Sequence, residues 1–258
     1  MDKKRVPLIA GNWKMHLSAA EAGELALALK KGLSPDLPHE VLVAPSYTNL
    51  WSVRQALAGS RILLSSQDVH WEEKGAFTGA VSPTQVLDAG CTHAIIGHSE
   101  RRKIFGESDE VINRKLKAAV KHNIVPVLCV GETLEERETQ RTYRVLETQL
   151  DGAFSGLKAE EVVRAVIAYE PVWAIGTGKT ATPDQAQDAH VFIRRHMEKI
   201  YGRDYASRVR ILYGGSVKAD NIDSLMAQPD IDGALVGGES LKADKFLRVI
   251  HFEEALAR

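Results

Sequence analysis

The feature that most constrains what this chain can fold into is a rhythm: eight short apolar, partly β-branched runs, separated by stretches with helical patterning. The runs are VPLIAG from Val6, EVLVAP from Glu40, ILLSS from Ile62, HAIIG from His93, IVPVLCV from Ile124, AVIAYE from Ala165, RILYGG from Arg210 and DGALVGG from Asp232. Most lack the polar alternation of a strand with one wet face, so they read as parallel strands covered on both sides. One intervening helix opens at the N-cap Ser108, with Asp109 and Glu110 complementing the positive end of its dipole. Ile112, Leu116, Ala119 and Val120 make its core-facing stripe, and Lys121, His122 and Asn123 suit its end. Another opens at Thr182 and Pro183 and runs to about Tyr201, before Gly202. Strand and helix alternating eight times in 258 residues match an α/β fold of the (β/α)8 barrel type in count and length, with an open doubly wound sheet as the alternative. No linker, low-complexity tract, block of like charge or clear repeat divides the chain, so a single domain over residues 1–258 is expected.

Charge then narrows the partners. Lys plus Arg number 33 and Asp plus Glu 34, a net charge of −1, which gives no excess to draw nucleic acid or an acidic membrane from a distance. An anionic ligand has to be held by local groups. The longest uninterrupted apolar runs, 25–29 and 165–169, fall far short of the roughly 20 residues of a membrane span. The basic start is followed only by a short apolar stretch broken by Pro7, too little for a secretory signal, and two cysteines, Cys91 and Cys129, suggest no disulfide framework. The cytoplasm is the expected compartment.

In either parallel architecture ligands bind beyond the carboxyl ends of the strands, and four such segments are polar in a telling way. Asn12 and Lys14 follow the first run; Gly97-His98-Ser99-Glu100-Arg101-Arg102 follows the fourth; the sixth ends in Glu170 before Pro171; and Tyr213-Gly214-Gly215-Ser216 and Val236-Gly237-Gly238 close the last two. If these ends adjoin, an ammonium, an imidazole, a carboxylate and backbone N–H donors converge, as proton transfer on a small anion requires. Glu170 is the candidate base: Pro171 biases its backbone toward extended angles, and sequestration from water would raise its pKa. The bland alternative is a carboxylate salt-bridged at a strand end. His98, at the start of a short helix that Ser99 could cap, would be kept neutral by the helix dipole and donate one hydrogen bond to a substrate oxygen. Lys14, oriented by Asn12, would face developing negative charge, and the two Gly-Gly turns would let backbone N–H groups approach a phosphate. None of the nine histidines has zinc-site spacing, so no metal is expected.

The segment PVWAIGTGK from Pro171 is odd for a loop. Its apolar side chains Val172, Trp173, Ala174 and Ile175 suit a lid closing over bound ligand, although a loop packed permanently on a neighbouring helix would explain them too. Gly178-Lys179-Thr180 mimics the tail of a nucleotide-binding P-loop, but Trp173 stands where that motif needs glycine.

In order and spacing these segments, Asn12-Trp13-Lys14-Met15 and Ala168 through Lys179 included, closely resemble the triosephosphate isomerase family over essentially the whole chain. The resemblance implies a TIM barrel that interconverts dihydroxyacetone phosphate and glyceraldehyde 3-phosphate in glycolysis and gluconeogenesis, without cofactor or metal. It implies that Glu170 moves the carbon-bound proton, that neutral His98 shuttles protons between the oxygens, and that Lys14 and Asn12 stabilise the enediolate. Glu100 would organise the cluster around Lys14 and His98; Gly176, Ser216, Gly237 and Gly238 would grip the phosphate; and closure of residues 172–177 would exclude water. It also implies a homodimer through the loop 69–82, from Val69 to Ser82, with Phe77 and Thr78 near its tip. Two positions depart from the family: Ala80 stands where Glu commonly pairs with an arginine matching Arg101, and Glu239 where Ala is usual. Glu239 is expected to point away from the phosphate. Two rival readings are a barrel aldolase with Lys14 or Lys179 as a Schiff base, and a phosphate-binding barrel without catalysis.

Overall fold

The computed structural model describes residues 5–175 and 180–253. These form eight strands: β1 (Leu8–Asn12), β2 (Glu40–Ala44), β3 (Leu63–Ser66), β4 (His93–Ile96), β5 (Val125–Val130), β6 (Val166–Tyr169), β7 (Arg210–Tyr213) and β8 (Gly233–Val236). Each pairs in parallel with the next, and β8 returns to β1 with Leu8 opposite Gly233 and Gly11 opposite Val236, so the sheet closes. That closure removes the open doubly wound alternative. All the strands being parallel, their carboxyl ends gather at one mouth.

Strand composition follows from what each face meets. Leu8 and Ala10 point into the barrel with Leu42, Ala44, Ile95, Val127, Cys129, Val166, Ala168, Leu212 and Leu235, while Ile9, Val41, Val43, Ile96, Leu128 and Ile167 join the layer under the helices. Successive side chains therefore alternate between two dry environments, and this is why the runs show no polar alternation. Pro7 stays outside β1, as expected of a residue with no N–H to give the ladder.

The helices end where their residues dictate. Ser108 accepts from the Val111 N–H at the head of the helix Asp109–Lys121, and Asn123, just past its end, adopts φ 60°. Thr182 and Gln185 form a reciprocal capping box ahead of the helix Pro183–Tyr201, and Gly202 ends it at φ 84°. Ile112, Leu116 and Ala119 are buried as the periodicity requires, with Val120 packed at the margin. No helix among the described residues is long and apolar enough to cross a membrane.

Candidate active site

Lys14 sits two residues past the core of β1 in a left-handed backbone conformation, φ 51°, that costs a side-chain-bearing residue on the order of 1–2 kcal/mol. Local hydrogen bonds hold it there. The Asn12 Oδ1 accepts from the Lys14 N–H at 3.0 Å, and Gln67 Nε2 donates to the carbonyls of Lys14 and Ala44, both at 2.8 Å. Asn12 thus orients the lysine through its backbone. The ammonium then reaches across the mouth to Glu100, Nζ to Oε1 at 2.6 Å. Partial burial pushes the Glu100 carboxyl up, but the Lys14 hydrogen bond, with His98 and His16 nearby, outweighs it and holds the group below the ordinary carboxylate range.

His98 follows β4 and itself caps the short helix Ser99–Ile104; its Nδ1 accepts the Glu100 N–H at 3.2 Å, so the cap is the imidazole rather than Ser99. A ring nitrogen that accepts a backbone N–H bears no proton, which places the neutral ring's hydrogen on Nε2. The Glu100 carboxylate lies 3.6 Å from the same Nδ1, beyond hydrogen-bonding distance, and does not compete. Nε2 lies 3.1 Å from Glu170 Oε1, and Glu170 Oε2 accepts the N–H of Ser99 at 2.9 Å. Glu170 is only 2% exposed, and its own N–H donates to the Val130 carbonyl at 2.7 Å. Behind it the fully buried Cys129 thiol is pushed well above its ordinary value, by burial first and then by the Glu170 carboxylate, and so stays neutral.

These groups surround one cavity of about 330 Å³, bordered by Asn12, Lys14, His98, Glu170, Ser216, Gly237 and Gly238. Its volume suits a small molecule. A Cβ on Gly237 would lie 3.5 Å from Lys14 Cε, so the bare backbone leaves the approach to the ammonium open. Gly176, the remaining expected phosphate donor, lies outside the described residues, as do Thr177 and Lys179. Four cavity residues had no place in the sequence reading: Leu235 of β8, His16, Val217 and Lys218. His16 stands two positions past Lys14, and Val217 and Lys218 directly follow Ser216, a proximity that could have flagged all three; Leu235, inside β8, carries no such signal.

The first half of the loop after Glu170 is a short 3₁₀ turn, Val172–Ala174, docked on the barrel. Trp173 Nε1 donates to the wholly buried carboxylate of Glu132 at 2.9 Å, and the Arg137 guanidinium lies 4.7 Å from the indole centroid. Tyr169 donates to the same carboxylate. Ile175 borders the cavity. Glu239 also borders it, but its Oε1 accepts from Lys245 Nζ at 3.1 Å. Arg101 is paired within the chain, to Asp68 at 3.0 Å and Glu107 at 2.6 Å, so Ala80 does not strand it. Among the described residues, the one His/acid group able to hold a metal ion is Glu147, Asp151 and His196, and none of the three borders the cavity.

A closed parallel barrel whose mouth brings an ammonium, an imidazole and a buried carboxylate to one small cavity defines the barrel enzymes that move protons on small anionic substrates. Comparison with known proteins narrows the class. The family described as triosephosphate isomerase matches residues 7–253. Proteins of that name from Roseiflexus sp. (strain RS-1) and Geotalea uraniireducens (strain Rf4) are both 54% identical, the first over 96% of this chain and 98% of its own length, the second over 97% and 100%. One from Pelobacter propionicus is 55% identical over 96% of this chain and 99% of its own. The chain belongs to the triosephosphate isomerase family.

Proposed function

We propose that this isomerase interconverts dihydroxyacetone phosphate and glyceraldehyde 3-phosphate in glycolysis and gluconeogenesis, as a single catalytic domain acting by proton transfer through an enediolate. The observation that carries the reading is the one cavity that Lys14, His98 and Glu170 share. Glu170 takes the proton from the carbon beside the carbonyl and returns it to the neighbouring carbon. His98 Nε2–H donates to the substrate oxygens in turn, and the Lys14 ammonium faces the negative charge of the enediolate, while Glu100 keeps that ammonium in place. Ser216, Gly237 and Gly238 supply the phosphate side. Oxyanion stabilisation of this kind contributes roughly 10²–10³ in rate, and a positioned base roughly 10²–10⁴.

As it stands, Glu170 is at rest. Its Oε2 accepts the Ser99 N–H while Oε1 lies 3.1 Å from His98 Nε2, so the carboxylate leaves Ser99 to reach substrate. Pro171 and the turn Val172–Ala174 follow it directly, so motion of this loop moves the base. The loop 172–177 is read as a lid, with the Trp173–Glu132 bond as its resting latch. Closure brings Ile175 over the cavity, excludes water and protects the intermediate from losing phosphate.

A Schiff-base reading fares worse. The Lys14 amine is bound as an ammonium to a carboxylate, opposite to the apolar or cation-flanked setting that frees an amine nucleophile. Turnover of dihydroxyacetone phosphate, followed in a coupled assay, decides the main proposal. Glu170→Gln is expected to lower kcat by about 10³-fold or more, and unchanged turnover would remove Glu170 from the mechanism.

A homodimer is the proposed working form. The loop 69–82 presents Phe77, and Met15, Ile104 and Phe105 are further exposed large apolar side chains, as an interface requires. A light-scattering mass equal to one chain would refute this. The cytoplasm is the proposed compartment, in keeping with buried, unpaired Cys91 and Cys129.

A further inference from the structure

Gln149 stands on the helix Thr142–Phe154, outside the barrel, and does not border the substrate cavity. Its side-chain amide nevertheless exchanges two hydrogen bonds with the backbone of a single residue. Oε1 accepts from the Gly131 N–H at 2.8 Å, and Nε2 donates to the Gly131 carbonyl at 3.2 Å.

The site of that clamp matters. Gly131 is the first residue past β5. On either side of it the ladder to the next segment continues, with Glu170 N–H donating to Val130 O at 2.7 Å and Val172 N–H to Glu132 O at 3.0 Å. The peptide groups of Gly131 alternate away from that ladder, toward the side where β4 has already ended, its last residue Ile96 lying opposite Leu128. Gln149 supplies the donor and acceptor that a neighbouring strand would otherwise give. Gly131 in turn touches the base: a Cβ built on it would collide with the Glu170 carbonyl oxygen, so displacement of one backbone is passed to the other. Packing does little to prevent such displacement, because a cavity of about 310 Å³ adjoins Gly131, Gln149, Ser99 and Glu170.

We propose that Gln149 is a positioning residue for the isomerisation: by pinning Gly131 it sets where the Glu170 backbone stands, and so how far the carboxylate reaches when it leaves Ser99. The proposal rests on Glu170 being the base. Gln149→Met keeps length and helix propensity but removes both hydrogen bonds; Gln149→Glu keeps the acceptor for the Gly131 N–H. Since an ångström of misplacement can cost about 10²-fold, Gln149→Met is expected to lower kcat about tenfold with KM within about twofold, and Gln149→Glu to recover most of that loss. In a Glu170→Gln background, expressed in a host lacking its own isomerase, the same Met substitution is expected to change the residual kcat by less than about twofold, because no base is left to misplace.

An unchanged kcat in Gln149→Met would overturn the proposal. So would an equal tenfold loss in both backgrounds, which a merely less well-folded protein would give. Wild-type turnover by Glu170→Gln alone would instead remove the base assignment on which the proposal stands.

Discussion

Two clusters of charged side chains lie beyond the carboxyl ends of the strands. In one, Lys115 meets Asp68 at 2.6 Å and Glu107 at 2.5 Å, and Arg101 meets the same two carboxylates at 3.0 and 2.6 Å. Two cations and two anions close a mutually neutralising ring, with the Lys115 side chain 4% exposed. In the other, Lys14 answers Glu100, but Glu170 pairs with no lysine or arginine among the described residues. Its Oε2 accepts one backbone N–H, that of Ser99, and its Oε1 lies 3.1 Å from the His98 imidazole, so it can move without stranding a buried lysine or arginine. A buried carboxylate tied into a charge ring is part of the scaffold; one held by an exchangeable backbone N–H beside a cavity is free to accept a proton.

The largest effect that could break this contrast is on the scaffold side. Lys115→Met leaves Asp68 and Glu107 sharing Arg101 alone, and is expected to cost about 3–5 kcal/mol of stability in urea unfolding, with kcat per folded molecule within about twofold. Lost turnover at full stability would mean that the two clusters are not separate in role.

That scaffold ring also shows where sequence reading stops. The eight strands were legible because each is dry on both faces, and Asn12, Lys14, His98 and Glu170 because a parallel barrel puts everything after a strand end at one mouth. Lys115 sits mid-helix among Ile112, Leu116 and Ala119, and nothing in its spacing points to Asp68, 47 positions away. Gln67 and Gln149 were invisible for the same reason: each acts through a backbone carbonyl or amide of a distant turn, and a backbone group leaves no mark in the sequence of what binds it. Leu235 reads as one more core side chain of β8, although it borders the cavity.

Smaller effects sharpen the comparison on the cavity side. Glu100 has its carboxyl held below the unfolded value, so it contributes stability that is present above the ordinary carboxylate range and lost as pH falls through the lowered value. The stability gap between the wild type and Glu100→Gln, read from denaturant unfolding, is expected to be open at pH 7 and to close as pH drops below 4.5, the ordinary value. Because the group is half exposed, the gap at neutral pH is expected to be about 1 kcal/mol or less. A gap that widens toward acid would show that Lys14 does not hold Glu100 as described. The smallest effect is at Glu239, whose carboxylate is drawn to Lys245. Glu239→Ala is expected to leave KM for dihydroxyacetone phosphate within about twofold, since only a rim charge drawn to Lys245 is lost; a large fall in KM would place that charge against the bound phosphate.

The central claim is that Glu170 moves a carbon-bound proton, and hydrogen exchange tests it without relying on the coupled assay. With dihydroxyacetone phosphate in D2O, followed by NMR, the wild-type protein should replace a carbon-bound hydrogen with deuterium. Glu170→Gln, still folded by circular dichroism, should do so slower by about 10³-fold or more. Exchange by Glu170→Gln at the wild-type rate would contradict the account.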